Sequence, residues 1–518
     1  METSEFRNEA LTDFSRPDQR SAMESALASV GAELGKTSPL IIGGRELAGK
    51  ATFVSINPSR KDQVVGVFAS ATKDDVDLAV KTAHGAFQSW RHVAAEERSR
   101  YLLRAATEMR RRKHEFSALM SYEAGKTWPE ADADTAEAID FLEFYARENL
   151  RYFGEQPCGT VPGERTRLVY LPLGVVAVIP PWNFPLAIML GMTAAALVSG
   201  NTVVLKPSSD TPAVALRFVE LMRSLGLPDG VLNFVTGGGG AIGDSLVSHP
   251  LVRMIAFTGS KAVGLHINEL AARATPGQRW IKRIIAEMGG KDSIIVDRAA
   301  DLEKAADGVT ASAFGFQGQK CSACSRAIVH VDVYDKFLDM LAARARGLRI
   351  GVATNGATQL GPVINARAQE TILDYMKVGR GEGRLLTGGS KGEDDSGFYL
   401  QPTVIADVDP MARISQEEIF GPVLAVLRAR DLDHALEIAN NTEYGLTGSV
   451  YTQDRAVAER VTKEFFVGNL YINRKCTGAL VSGHPFGGFN MSGTDSKAGG
   501  RDYLLLFLQA QSIAEKLA

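Results

Sequence analysis

The stretch LPLGVVAVIPPWNFPLAIMLGMTAAALV, residues 171–198, is free of charged side chains and long enough to suggest a membrane span. Pro180, Pro181 and Pro185 fall inside it, around Trp182 and Asn183. Prolines there break backbone hydrogen bonds that lipid cannot replace. The stretch therefore reads as a buried strand at 175–179, a structured turn, and a buried helix at 187–197.

The same alternation continues downstream. Strands are expected at 202–205, 231–235 and 253–257, and helices at 211–225, 242–247 and 262–272. The strands are continuous apolar runs, as in a parallel sheet covered on both faces by helices. This is a doubly wound, Rossmann-like α/β pattern, whose ligands sit beyond the carboxyl ends of the strands. A second α/β set follows Glu287, with strands at 293–296 and 327–331 and a helix at 333–345. Upstream, 74–86 and 96–122 show apolar residues at helical spacing, and 133–145 reads as an acidic helix.

Composition narrows the function classes. At 518 residues the chain calls for two or more domains. A net charge of −3 gives no electrostatic footprint for nucleic acid. Four cysteines in so long a chain argue against a disulfide framework and for a reducing compartment. The polar start, residues 1–20, lacks an apolar signal core, so a cytoplasmic location is expected, without membrane attachment.

The chemistry-bearing residues sit at the ends of these units. Gly237–Gly240 and Gly243 follow a strand and precede a helix, without spelling the common dinucleotide fingerprint. Phe257-Thr258-Gly259-Ser260 joins a strand to a helix, where N–H groups and the helix dipole can face a pyrophosphate. Cys321 follows the glycine-rich loop Gly315-Phe316-Gln317-Gly318-Gln319-Lys320. Lys320 beside it is expected to favour the thiolate. Glu287, in a glycine-flanked turn, is a candidate base. Cys321 and Cys324 also form a Cys-x-x-Cys pair, but no second ligand pair for zinc is visible, so no metal is expected.

Along almost its whole length the chain resembles the aldehyde dehydrogenase superfamily. The landmarks run in the family's order: Pro181-Trp182-Asn183-Phe184-Pro185, Lys206-Pro207-Ser208, Phe257-Thr258-Gly259-Ser260 and Glu287-Met288-Gly289-Gly290-Lys291. Gly318-Gln319-Lys320-Cys321, Glu418-Ile419-Phe420-Gly421-Pro422-Val423 and Pro485-Phe486-Gly487-Gly488 complete the set. The resemblance implies an NAD(P)-dependent dehydrogenase with Cys321 as nucleophile, Asn183 in the oxyanion hole and Glu287 as general base. It also places Ile179, Trp182, Lys206, Ser208, Ser209, Gly239, Gly243, Phe257, Ser260, Val263, Glu418 and Phe420 around the cofactor. NAD-selective relatives often carry a glutamate three residues beyond the lysine. Ser209 stands there instead, so NADP is expected to serve alongside NAD.

A narrower cluster, Lys320-Cys321-Ser322-Ala323-Cys324-Ser325-Arg326 with the run 469–481, resembles the branch that oxidises L-glutamate γ-semialdehyde. There Glu137, Lys320, Ser322, Gly478, Ala479 and Phe486 would line the substrate site. Ser322 and the backbone of Gly478-Ala479 would anchor its carboxylate. Ser482-Gly483-His484 departs from that branch's usual Gly-Val-Gln.

The implied architecture has three parts. A cofactor domain takes 1–151 and 172–287, and a catalytic domain takes 288–484. A β-flap of 152–171 and 485–518 joins subunits into a homodimer or an assembly of dimers. A small-molecule aldehyde is the expected substrate, with transient contact with proline dehydrogenase. Two alternatives remain at this point: a dehydrogenase for another semialdehyde or aliphatic aldehyde, and a non-catalytic scaffold on the same fold.

Overall fold

A computed structural model describes residues 5–154 and 156–517. The outermost positions of the expected first and last segments, and residue 155 of the flap, lie outside the described residues.

Two seven-stranded sheets carry the fold. The first runs in spatial order Arg283–Glu287, Val252–Thr258, Val175–Ile179, Thr202–Leu205, Leu232–Phe234, then the hairpin Leu40–Ile42 and Arg45–Leu47. Its first five strands are parallel. From Val175–Ile179 the chain moves outward through two strands, then returns to place Val252–Thr258 on the other side. That reversal opens a crevice beyond the carboxyl ends of the two neighbours. The uncharged stretch quoted above is a buried strand and the buried helix Ala187–Val198. Among the described residues, no helix is long and apolar enough to cross a membrane.

The second sheet orders Arg384–Thr387, Thr403–Ala406, Val423–Ala429, Cys324–His330, Asp292–Val296, Thr447–Tyr451 and Asn469–Ile472. All its pairings are parallel except the first, at the edge. Only four residues, 288–291, separate Glu287 at the carboxyl end of one sheet from Asp292 at the amino end of the other. The mouths of the two sheets therefore face each other.

Some elements differ from expectation. Residues 96–122 form two helices, Ala95–Arg111 and Lys113–Glu123, broken at Arg112 with φ −104° and ψ 21°. Past the break Lys113 is buried, its ammonium 3.0 Å from Asp132. The short helix expected at 242–247 is a π-turn, Gly239–Gly243, running into Asp244–Ser248, since consecutive glycines support regular helix poorly. The acidic helix is longer than read, Trp128–Phe153.

Glu164–Pro172 and Leu508–Lys516 form a separate antiparallel ribbon paired over their whole length. The preceding segment, 485–507, does not join it. Its part 492–496 instead folds back on the end of Arg283–Glu287, with the Met288 N–H donating to the Ser492 carbonyl at 2.7 Å and Thr494 N–H to the Ala286 carbonyl at 2.9 Å.

Candidate active site

Cys321 is half-buried at the amino end of Cys324–His330, where the two mouths meet. Its approach is a tight 3-10 turn, Gly315–Gly318, in which Phe316 and Gln317 take φ 47° and 57°. Left-handed backbone at two successive non-glycine residues costs of order 1–3 kcal/mol each and persists only where surroundings impose it. The facing turn is equally close. A side chain at Gly289 would fall on the Glu418 carboxylate, and one at Gly290 would come within 2.5 Å of the Cys321 carbonyl oxygen. Glycine is thus required for the 288–291 crossover to pass beneath the thiol.

Burial pushes the Cys321 thiol well above its ordinary range, and the carboxylates of Asp292, Glu418 and Glu287 push it further. The expectation that Lys320 favours the thiolate is corrected here. The Lys320 ammonium lies 2.7 Å from Glu130, and that ion pair absorbs its charge.

Glu287 ends the edge strand Arg283–Glu287 rather than lying in a turn. It is buried, and its Oε1 accepts from Ser496 Oγ at 2.6 Å and Ser496 N–H at 3.1 Å. Gly488 N–H reaches Oε2 at 3.4 Å. Burial outweighs these bonds and raises the carboxyl to about 7. Nothing local in the sequence marks Ser496 or Gly488 as partners of Glu287. Asn183 is buried in the turn after Val175–Ile179, and its Nδ2 donates to the Gln319 carbonyl at 3.0 Å. The amide therefore sits two residues from the thiol along the chain it touches.

The cofactor candidates line the crevice of the first sheet. Lys206 is buried past Thr202–Leu205, and burial lowers its ammonium to about 8. Ser208 Oγ accepts from Asp210 N–H at 3.3 Å, and Ser209 Oγ donates to the Gly237 carbonyl at 3.3 Å. Gly239 and Gly243 border open space, so a side chain there would project into the groove. Phe257 is buried at its wall, beyond Ile179 on the neighbouring strand. Ser260 caps helix Lys261–Ala272 by accepting from Val263 N–H, and Val263 is exposed. On the far side Glu418 accepts from Gly290 N–H at 3.0 Å and is raised to about 7 by burial. Phe420 meets Trp182 edge-on at 5.4 Å. An open glycine groove, a buried lysine and a helix N-terminus suit a dinucleotide.

Glu130, Asp134 and Glu137 share one face of Trp128–Phe153, at spacings of four and three residues. Glu137, next to Asp134 and Lys320, is raised to about 8, chiefly by burial. Only Glu137 of the three was expected in the site. The regular spacing was the available signal for Glu130 and Asp134. Ser322 is buried, and its carbonyl accepts from the Cys476 thiol at 3.3 Å. Gly478 has φ 76°, and Arg474 donates to its carbonyl at 2.8 Å and to that of Thr477 at 3.2 Å. Those bonds fix the turn that carries Ala479. His484 closes the same loop, its Nδ1 accepting from Leu480 N–H at 3.1 Å. Phe486 pairs through its backbone with Ala498.

The sequence pattern of the aldehyde dehydrogenase family matches residues 46–513. A 1-pyrroline-5-carboxylate dehydrogenase of Geobacillus sp. (strain WCH70) is 57% identical over 510 residues, covering 98% of this chain and 99% of the relative. The structure of 1-pyrroline-5-carboxylate dehydrogenase from Thermus with bound NAD superposes with a TM-score of 0.98 at 48% identity, covering 100% of both chains. Proline utilization A from Bdellovibrio bacteriovorus superposes with a TM-score of 0.97 at 44% identity, covering 99% of this chain and 53% of that one.

Proposed function

The chain belongs to the aldehyde dehydrogenase family, and from that membership we propose that it oxidises L-glutamate γ-semialdehyde to L-glutamate with NAD. The semialdehyde stands in equilibrium with 1-pyrroline-5-carboxylate, and the reaction is the second step of proline catabolism. The observation that supports this reading is the electrostatic reach of Glu287 to Cys321, with the Asn183 amide bonded to the Gln319 carbonyl two residues from the thiol. The names of the Geobacillus and Thermus relatives support the substrate.

The Cys321 thiol must lose a proton before it attacks, because burial and then its carboxylate neighbours disfavour the thiolate. Glu287, near 7, is the base suited to take it at neutral pH. Attack on the aldehyde carbon forms a thiohemiacetal on Cys321. The Asn183 amide and the Cys321 N–H then hold the oxyanion, each such donor being worth ~2.7–4 kcal/mol in a comparable site. NAD, held by Lys206, Glu418 and the groove at Gly239 and Gly243, supplies the hydride acceptor. Loss of hydride leaves a thioester on Cys321. Glu287 first releases to solvent the proton it took from Cys321, then takes one from the water that attacks the thioester and passes it to the departing sulfur, which releases the acid and restores the thiol. Ser322 and the N–H groups of Gly478 and Ala479 hold the substrate's α-carboxylate, as small anion nests do. Lys320, Glu137 and Phe486 line the remaining wall.

Ser209 places no carboxylate where the 2′-phosphate of NADP would lie, so both cofactors serve, with NAD favoured. In the same reading the ribbon of Glu164–Pro172 and Leu508–Lys516 joins copies into a homodimer or an assembly of dimers. The enzyme works in the cytoplasm and meets a proline-oxidising enzyme transiently. The likeness to about half of proline utilization A is the support for that encounter.

The test measures NADH and NADPH formation with glutamate semialdehyde, succinate semialdehyde and propanal, for the parent and Cys321→Ser. Selective turnover of glutamate semialdehyde, lost in the variant, is expected. Preference for another aldehyde would replace the substrate, and no NADPH at all would remove the dual-cofactor reading.

A further inference from the structure

The turn joining Lys113–Glu123 to Trp128–Phe153 carries Lys126, whose side chain is fully buried. Its ammonium lies 2.7 Å from Asp134, which is also fully buried. It faces two aromatic rings, with the centroid of Phe184 at 3.9 Å and that of Phe316 at 4.6 Å. Phe184 follows Asn183, and Phe316 is the first of the two left-handed residues before Cys321. The second, Gln317, donates from Nε2 to the carbonyl of Gly125, next to Lys126, at 3.4 Å. Asp134 completes the arrangement, its Oδ1 accepting from Ala187 N–H at 2.7 Å. Ala187 opens the helix that follows the Asn183 turn.

We propose that Lys126 and Asp134 are positioning residues, which clamp the oxyanion turn at Asn183-Phe184 and the nucleophile turn at Phe316-Gln317 into one register. The inference rests on the reading of Cys321 as nucleophile and Asn183 as oxyanion donor. A buried ion pair is a poor way to gain stability, since desolvation offsets most of its attraction. Its directional reach is what an apolar pair cannot reproduce. One ammonium touches both ring faces, and one carboxylate ties that ammonium to the helix behind Asn183. Two strained residues need such external support, and the 125–126 turn holds one by its ring and the other by its amide.

The test compares Lys126→Met, Lys126→Arg, Phe316→Leu and the parent, each first shown folded by circular dichroism and by unchanged NAD affinity. In Lys126→Met and Phe316→Leu, kcat is expected to fall about a hundredfold with KM nearly constant, as for misplacement of reacting groups by about 1 Å. Lys126→Arg, which keeps a cation over the rings, is expected to recover part of that loss. Alkylation of Cys321 by iodoacetamide, followed by mass spectrometry, is expected to speed up in Lys126→Met as the turn loosens. That readout needs no aldehyde turnover, so it separates a failed clamp from a wrong substrate or reaction. If Lys126→Met does not fold, Phe316→Leu decides alone. Folded variants with kcat and alkylation within threefold of the parent would overturn the clamp.

Discussion

Glu287 carries two demands that pull in opposite directions. As the proposed base it must be ionised, yet burial holds its carboxyl near 7, so at neutral pH it is divided between its two forms. The expected rate therefore rises through a limb centred near pH 7 and levels above it, because only the ionised carboxylate accepts a proton. Glu287→Gln keeps the shape and one acceptor for Ser496 but cannot act as a base. It is expected to lower steady-state turnover by roughly 10²–10⁴-fold and abolish the limb. Any thioester that still forms should persist on Cys321 and be visible by mass spectrometry. A variant that kept the same limb would assign it to another group. Glu418 is also held near 7, and it is the group to examine next.

At the scale of elements, helix Trp128–Phe153 is organised around its inward face. Glu130 neutralises Lys320, Asp134 neutralises Lys126, and among the described residues Glu137 has no comparably close cation. Glu130→Gln would leave the Lys320 ammonium uncompensated beside Cys321, the proposed nucleophile. A nearby cation favours the thiolate, so the pH midpoint for Cys321 alkylation is expected to move down and the rate at pH 8 to rise several-fold. An unchanged profile would mean that the Lys320 charge is not felt at Cys321. This element also shows what local sequence can reveal. The strands around Asn183 and Ser260 were legible because a doubly covered strand must be continuously apolar. Cys321, Glu287 and Asn183 were legible through motifs lying in short stretches. The carboxyl of Glu287 is held by Ser496, which is 209 residues away. Lys126 likewise reaches Phe316 across the fold, and no local pattern encodes such a contact. Glu130 and Asp134 lay between these cases. Their spacing put them on one face with Glu137, but an acidic helix face is ordinarily solvated, and only the packed helix shows which way it turns.

Across the whole molecule, buried carboxyls set how stability varies with pH. Glu123, Glu137, Glu287 and Glu418 are all raised, to about 7, 8, 7 and 7, with burial as the leading cause. A carboxyl raised on folding binds its proton more tightly in the native state than in the unfolded chain. Its stabilising effect is complete below the unfolded value of 4.5 and is lost as pH rises through the folded value near 7. Buried lysines act in the opposite sense. Lys206 and Lys291, lowered to about 8 and 7, cost stability while charged, and they relieve that cost only as pH climbs from those values toward 10.5. The melting temperature is therefore expected to fall between pH 5 and 7 and to turn upward above 8, as the buried lysines shed their protons. Glu123 isolates one contribution, because it lies away from the thiol and caps helix Pro212–Ser224. It accepts from Ala213 N–H at 2.8 Å and Val214 N–H at 3.0 Å. Glu123→Gln keeps a carbonyl acceptor for one of those two donors, which bond separate oxygens, and removes the titration. It should flatten part of the fall between pH 5 and 7 while leaving the activity limb of Glu287 in place. Differential scanning fluorimetry across pH 5–9 on the parent and Glu123→Gln measures this directly. Parallel curves would mean that Glu123 does not titrate in that window, and the fall would then belong to the carboxyls at the active site, where bound NAD should change its shape.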